Sequence, residues 1–215
     1  MSNRWINTYK QPIRVIHNGI TLNNIIDNDG AKVNIREKFD LHGKVVIGLV
    51  GRVERYKGHE DTIIACGELQ KIYRKKLTVL FIGECSDQER KRLVSLSAVL
   101  GVSDCIIFTG YIEGDSFQII EQLDLLLMIT KNFEGFGLTL AEAMCVKTPI
   151  IATNVGAVSE FVDDSVGTII NPEAPLQLAE KLKEFMDNPD YFLNKTEKAS
   201  ELIKNKFNAD IMAKQ

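Results

Sequence analysis

The sequence predicts an α/β protein built on a doubly wound, Rossmann-like parallel sheet, and three observations carry that reading. From residue 44 onward, short runs of β-branched or apolar residues alternate with helix-length segments, which is the rhythm of strands joined by crossover helices. The runs are apolar almost throughout, as strands covered on both faces must be. Glycine follows the first four runs, at Gly51, at Gly83, at Gly110 and at Gly135 with Gly137, and sheets of this class bind ligands beyond the carboxyl ends of their strands.

The strands are expected at Val45–Val50, Leu77–Ile82, Cys105–Thr109, Leu125–Ile129, Pro149–Thr153 and Gly167–Ile170. Ahead of them, Asn23 to Asp40 is polar, rich in Asn and Asp, and reads as a surface excursion. After the second strand, Ser86-Asp-Gln-Glu89 forms a capping box, Leu93, Leu96 and Leu100 follow on one helix face, and Gly101 is the stop. From Phe136 to Val146 the only polar side chains are Thr139 and Glu142, so this helix should be buried on most sides. Lys147 places a cation at its negative pole. Leu178, Ala179, Leu182, Phe185 and Met186 share one helical face, and Asn188-Pro189 breaks that helix before another begins. Phe207 to Gln215 looks like the start of a terminal helix.

A chain of 215 residues with 45% hydrophobic content suits one domain around a single core. Net charge is −3 and the pI about 5.7. The basic clusters Arg74 to Lys76 and Arg90 to Arg92 read as solvated helix surface, so no nucleic-acid partner is expected. Cys66, Cys85, Cys105 and Cys145 are scattered singly, which points to reduced, structural thiols in a cytoplasmic protein. His17, His42 and His59 show no metal-ligand spacing, and no protein-bound metal is expected. The first ten residues are too polar for a signal peptide, and no apolar run reaches membrane-spanning length.

The chemistry concentrates in Glu134-Gly-Phe-Gly-Leu-Thr-Leu-Ala-Glu142. Gly135 and Gly137 let the backbone approach a ligand, and the free amides of the next helix turn suit phosphate. Glu142, inside a buried helix, needs a hydrogen-bonding partner such as a sugar hydroxyl. Gly51-Arg-Val-Glu-Arg-Tyr-Lys-Gly58 adds Arg52, able to fork onto phosphate oxygens, and Lys57, a mobile point charge. A glycosidase-like carboxylate pair is disfavoured, because Glu134 lies in a loop and Glu142 in a helix.

The two glutamates, seven residues apart, with their glycines and the following Ala-Met, resemble the retaining glycosyltransferases of family 4. The resemblance continues in order through His17-Asn-Gly-Ile20, Gly51-Arg52 with Lys57-Gly58, Phe81-Ile-Gly83, Phe108-Thr-Gly110, Thr148-Pro-Ile-Ile-Ala-Thr153, Val155-Gly156 and Gly167. It implies the C-terminal, donor-binding half of a two-domain GT-B fold, with residues 1–17 closing an interdomain linker and first strand, and 18–215 forming the donor domain. The partners it implies are an N-terminal acceptor domain and, through that half, a membrane surface. The co-substrate would be a UDP-, GDP- or ADP-sugar, with no permanently bound cofactor and no metal requirement. Arg52 and Lys57 would neutralise the diphosphate beside Gly51. Glu134 and the amides of Gly135, Phe136 and Gly137 would face the donor sugar. The amides of Leu138 and Thr139 would hold the diphosphate, Glu142 the ribose, and the loop at Tyr111 and Ile112 the base. For Tyr111, core packing is an equal alternative. The sequence departs from the family at Lys147, at Ala157 and at Cys85, which bears on the donor sugar. A non-catalytic nucleotide-sugar module and a GT-B epimerase remain as rival functions.

Overall fold

Among the described residues, six strands lie in one wholly parallel sheet: β1 (Val45–Val50), β2 (Leu77–Ile82), β3 (Ile106–Gly110), β4 (Leu125–Met128), β5 (Ile150–Thr153) and β6 (Thr168–Ile170). Their spatial order is β3-β2-β1-β4-β5-β6. The structure is a computed structural model that describes residues 16–21 and 33–214. All six expected strands are present, none shifted by more than one residue at either end. Val45 pairs with Leu77, Ile47 with Leu125, Leu126 with Ile150 and Ile151 with Thr168. The order reverses between β1 and β4, which leaves a crevice at their carboxyl ends.

The helices are α1 (Ile35–Lys38), α2 (His59–Glu68), α3 (Lys71–Arg74), α4 (Asp87–Val99), α5 (Ser116–Ile120), α6 (Leu138–Cys145), α7 (Pro175–Asp187), α8 (Pro189–Leu193), α9 (Thr196–Lys206) and α10 (Ala209–Lys214). The expected single core is in fact two, because the sheet separates them. Ile47, Leu49, Val79, Phe81 and Leu127 pack with Ile63, Leu93, Leu178 and Phe185 from α2, α4 and α7. On the opposite face Val46, Leu80, Leu126 and Ala152 pack with Phe117, Leu140, Met144 and Ile203 from α5, α6 and α9. Successive strand residues point to opposite faces, so each central strand serves both cores.

Local chemistry explains most helix ends. The Ser86 hydroxyl accepts from the Glu89 amide at 3.3 Å, as a capping box requires. The Glu89 carboxylate, however, does not complete the box, because it takes two hydrogen bonds from Arg92. Asp115 starts α5 by accepting from the Phe117 amide, and Pro175 and Pro189 open α7 and α8. The expected surface excursion lies outside the described residues from 23 to 32. Its remainder is corrected: Asn34 caps α1, and the Ile35 side chain is fully buried in the core. The predicted terminal helix is present as α10. The segment before α1 is tied to it, since Ile20 donates to the Phe207 carbonyl and accepts from the Ala209 amide. Of the expected linker and first strand at residues 1–17, residues 1–15 lie outside the described residues, and Ile16 and His17 are in no strand.

Candidate functional site

Three loops meet at the β1/β4 crevice. β1 ends at Gly51, whose amide donates to the Ile82 carbonyl, and Gly83 crosses so closely that a Cβ there would lie 2.2 Å from the Gly51 carbonyl oxygen. The chain then makes a 3-10 turn, Arg55–Lys57, and enters α2 through Gly58 at φ 78°. A side chain on Gly58 would meet the Ile129 carbonyl oxygen at 2.0 Å, so only glycine lets this turn lie against the end of β4. The Lys131 amide donates to the Tyr56 carbonyl at 2.7 Å, fixing the two loops together.

That contact brings Lys57 to Glu134. Its ammonium lies 2.8 Å from Glu134 Oε2, and Thr130 Oγ1 donates to the same oxygen at 3.4 Å. Thr130 is itself braced, because Thr153 on β5 donates to its carbonyl at 2.6 Å. The Glu134 carbonyl accepts from the Ala157 amide at 3.1 Å, with Gly156 pressed against it. Arg52 takes a different direction: its guanidinium pairs with Glu54 at 2.9 Å and is 71% exposed.

The helix that follows begins at Gly137 in the left-handed region, and no side chain caps it. Leu140 and Ala141 donate back to the Gly137 carbonyl, and the first-turn amides of Leu138 and Thr139 have no intrahelical acceptor. The flank is less buried than expected, because Leu138 is 52% exposed on the first turn of α6. Gly135 is exposed. The Phe136 ring turns inward, stacked on Phe161 at 5.0 Å and tilted against Phe207, so only its main chain can face a ligand. One turn further in, Glu142 is half-buried. Burial raises its pKa, against a hydrogen bond from Ser116 that lowers it and the Asp115 charge that raises it. Glu134 and Glu142 thus have separate partners, unlike two acids flanking one bond.

Two hollows adjoin the crevice. A small one of about 20 Å³ is lined by Gly51, Arg52, Lys57, His59, Thr130 and Thr139. A wider cleft of about 760 Å³ runs past Arg52, Glu54, Glu84, Cys85, Gly110 and Tyr111. Tyr111 is 70% exposed, which removes the core-packing alternative for its ring. Ile112 is the opposite: its side chain is 4% exposed in the core, leaving only its backbone for the cleft. Sequence reasoning did not single out His59 or Glu54, nor the Asp61–Lys131 pair. Nothing in their spacing marks them, since each depends on contacts that only the fold creates. Among the described residues, no group of three or more His, Cys, Asp or Glu is placed to hold a metal, and no helix is long and apolar enough to cross a membrane.

Comparison with known proteins addresses the family. The chain is 24% identical to the alpha-D-kanosaminyltransferase of Streptomyces kanamyceticus, over 84% of this chain and 46% of that one. Among solved structures, the C-terminal domain of the group 1 glycosyl transferase LpcC from Francisella tularensis is 27% identical with a TM-score of 0.75, covering 89% of this chain and all of that domain. Anabaena HepE, solved with UDP-glucose, superposes with a TM-score of 0.83 at 22% identity, covering 94% of this chain and 55% of that one. The chain spans about half the length of the curated relatives it matches. A family model described as glycosyl transferases group 1 matches residues 32–208. With that match over most of its length and the doubly wound parallel sheet on the page, the chain belongs to the group 1 glycosyl transferases.

Proposed function

We propose that residues 18–215 are the sugar-nucleotide-binding domain of a retaining, metal-independent glycosyltransferase. It moves a hexose from a nucleoside diphosphate to an acceptor hydroxyl, in polysaccharide or glycolipid synthesis, and an N-terminal domain outside this chain supplies the acceptor site. The observation that carries the reading is the 2.8 Å approach of Lys57 to Glu134 beside the uncapped start of α6. It sets a cation and free helix amides where a departing diphosphate gathers charge, next to a carboxylate able to take sugar hydroxyls.

In this arrangement the wide cleft holds the nucleoside, with the base against Tyr111 and the loop backbone through Ile112. Glu142 accepts from the ribose hydroxyls, whose arrival satisfies a carboxylate that burial otherwise disfavours in its charged form. Arg52, Lys57 and the amides of Leu138 and Thr139 receive the diphosphate as the glycosidic bond lengthens. These cations and amides supply the neutralising charge, and positioning supplies the rest. The complex of HepE with UDP-glucose makes UDP the first nucleotide to test.

The test is a calorimetric titration with UDP, GDP and ADP, with EDTA present and no metal added. One nucleotide should bind, and Arg52→Ala and Glu142→Ala should each weaken it by about tenfold or more, the loss of a charge-assisted hydrogen bond. Lack of binding by all three, or indifference to both substitutions, would sink the reading. Acceptor-specific sugar transfer by this chain alone would overturn the assignment of the acceptor site to another domain.

A further inference from the structure

Between the two cations of the proposed diphosphate site in the sequence stands Glu54, a residue to which the Gly51–Gly58 motif assigns no role. It follows β1 in the wide cleft and lies just ahead of the 3-10 turn that carries Lys57. Its Oε1 pairs with the Arg52 guanidinium at 2.9 Å. On the same turn, the Glu54 carboxylate raises the pKa of the neighbouring Tyr56 hydroxyl. Of the two partners Arg52 is the more exposed, 71% against 32% for Glu54. Among the described residues, Arg52 is also the one cation lining this cleft, where Glu54 and Glu84 are both acids. The other proposed phosphate cation has the same kind of companion, because Lys57 is paired with Glu134.

We infer that Glu54 is a built-in competitor for the nucleoside diphosphate: it occupies the Arg52 guanidinium, yields it when the diphosphate enters, and takes it back as the diphosphate leaves. This rests on the proposed donor site. An arginine fork binds carboxylate and phosphate through the same donors, so it cannot serve both fully at once. The exchange lowers the net gain on binding the nucleotide. After transfer, when the sugar contacts are lost, the same exchange favours release of the spent nucleoside diphosphate. Its place two residues along the same chain keeps the competing carboxylate at high effective concentration beside Arg52.

The sign of the effect separates this role from a structural one. A carboxylate that merely supported the loop would weaken nucleotide binding when altered; a competitor would tighten it. Glu54→Gln keeps the size while removing the charge that holds Arg52. The nucleotide that the wild-type chain binds, and inorganic pyrophosphate as a base-free probe, are titrated into wild type, Glu54→Gln, Glu84→Gln, Arg52→Ala and the Arg52→Ala/Glu54→Gln pair at low and high salt. Glu54→Gln should bind about two- to fivefold more tightly at low salt, the range expected for an exposed ion pair, and the gain should shrink at high salt. Glu84→Gln, which removes an equal charge from the same cleft, should gain less. In the Arg52→Ala background the Glu54 substitution should change nothing.

Unchanged or weaker binding by Glu54→Gln, in a chain whose affinity does depend on Arg52, overturns the competitor and leaves the donor site standing. An equal gain from Glu84→Gln, or a gain that survives loss of Arg52, also overturns it in favour of general charge repulsion. Lack of nucleotide binding in the wild type removes the donor site and this inference with it; indifference to Arg52→Ala alone overturns this inference.

Discussion

His59 opens α2 immediately after the Lys57 turn, and its ring is 3% exposed, edge-on to Phe81 at 4.8 Å. Neither ring nitrogen makes a hydrogen bond among the described residues. Burial pulls its pKa down to about 4, more than the nearby Glu54 carbonyl and the Glu89 charge can restore. The fold therefore favours the neutral ring. Below the unfolded value near 6.5, the unfolded chain takes up a proton that the folded chain refuses. The stability contribution is complete above about pH 6.5, falls as the pH drops, and is gone near pH 4. Between pH 7 and pH 5 this one group should cost about 2 kcal/mol. His59→Phe, which keeps a ring against Phe81, should remove that component from urea unfolding curves at the two pH values. Glu142 works in the opposite direction, since its raised pKa favours folding as the pH falls. The difference between wild type and His59→Phe is thus the quantity to measure, and identical pH dependence in both would show that His59 is not held neutral. No sequence pattern announced this histidine, because a polar residue at a helix start is ordinarily exposed.

At the scale of elements, α2 and the loop after β4 behave as one unit. Asp61 on α2 pairs with Lys131 at 2.8 Å, their side chains 6% and 18% exposed, and the second Asp61 oxygen has no hydrogen bond. With the Tyr56–Lys131 backbone bond and the close pass of Gly58 under Ile129, this pair sets the spacing of Lys57 and Glu134. Lys131→Met leaves Asp61 charged, buried and alone, at an expected cost of about 3–5 kcal/mol. Adding Asp61→Leu should recover most of it, since an apolar pair avoids the desolvation that the ion pair must offset. Chemical denaturation of both singles and the double reads this directly; a loss under about 1 kcal/mol for Lys131→Met would mean that water reaches Asp61. Here the limits of the sequence are plain. The strands were legible because Val45–Val50 is apolar throughout and Leu77–Ile82 is interrupted only by Thr78, and the Glu134–Glu142 segment because its glycines and acids fall within nine residues. Asp61 and Lys131 lie far apart in the chain and meet only because β1 and β4 are neighbours in the sheet. Likewise Ile35 looked like part of a polar loop, and only its burial shows that α1 closes one end of the core.

Across the whole molecule, the two cores are separate volumes but not separate folding units. Val46 and Ile47 of β1 point into opposite cores, as do Leu126 and Leu127 of β4. Neither core can lose its helices without exposing strands that the other also needs. The proposed donor site adds a further link, since Arg52 and Lys57 follow β1, Glu134 follows β4, and Glu142 lies on the helix packed beneath the sheet. A bound nucleotide therefore stabilises the complete fold. At about a hundred times its dissociation constant it should add about 2.7 kcal/mol to unfolding, which for a chain of this size raises the midpoint by about 5–10 °C. Calorimetric melts should show one transition that moves as a whole, and Arg52→Ala should lose most of the shift at the same nucleotide concentration. Two resolved transitions, with only one responding to nucleotide, would refute the coupling and show that the helices of one face detach while the opposite face and its half of the crevice stay folded.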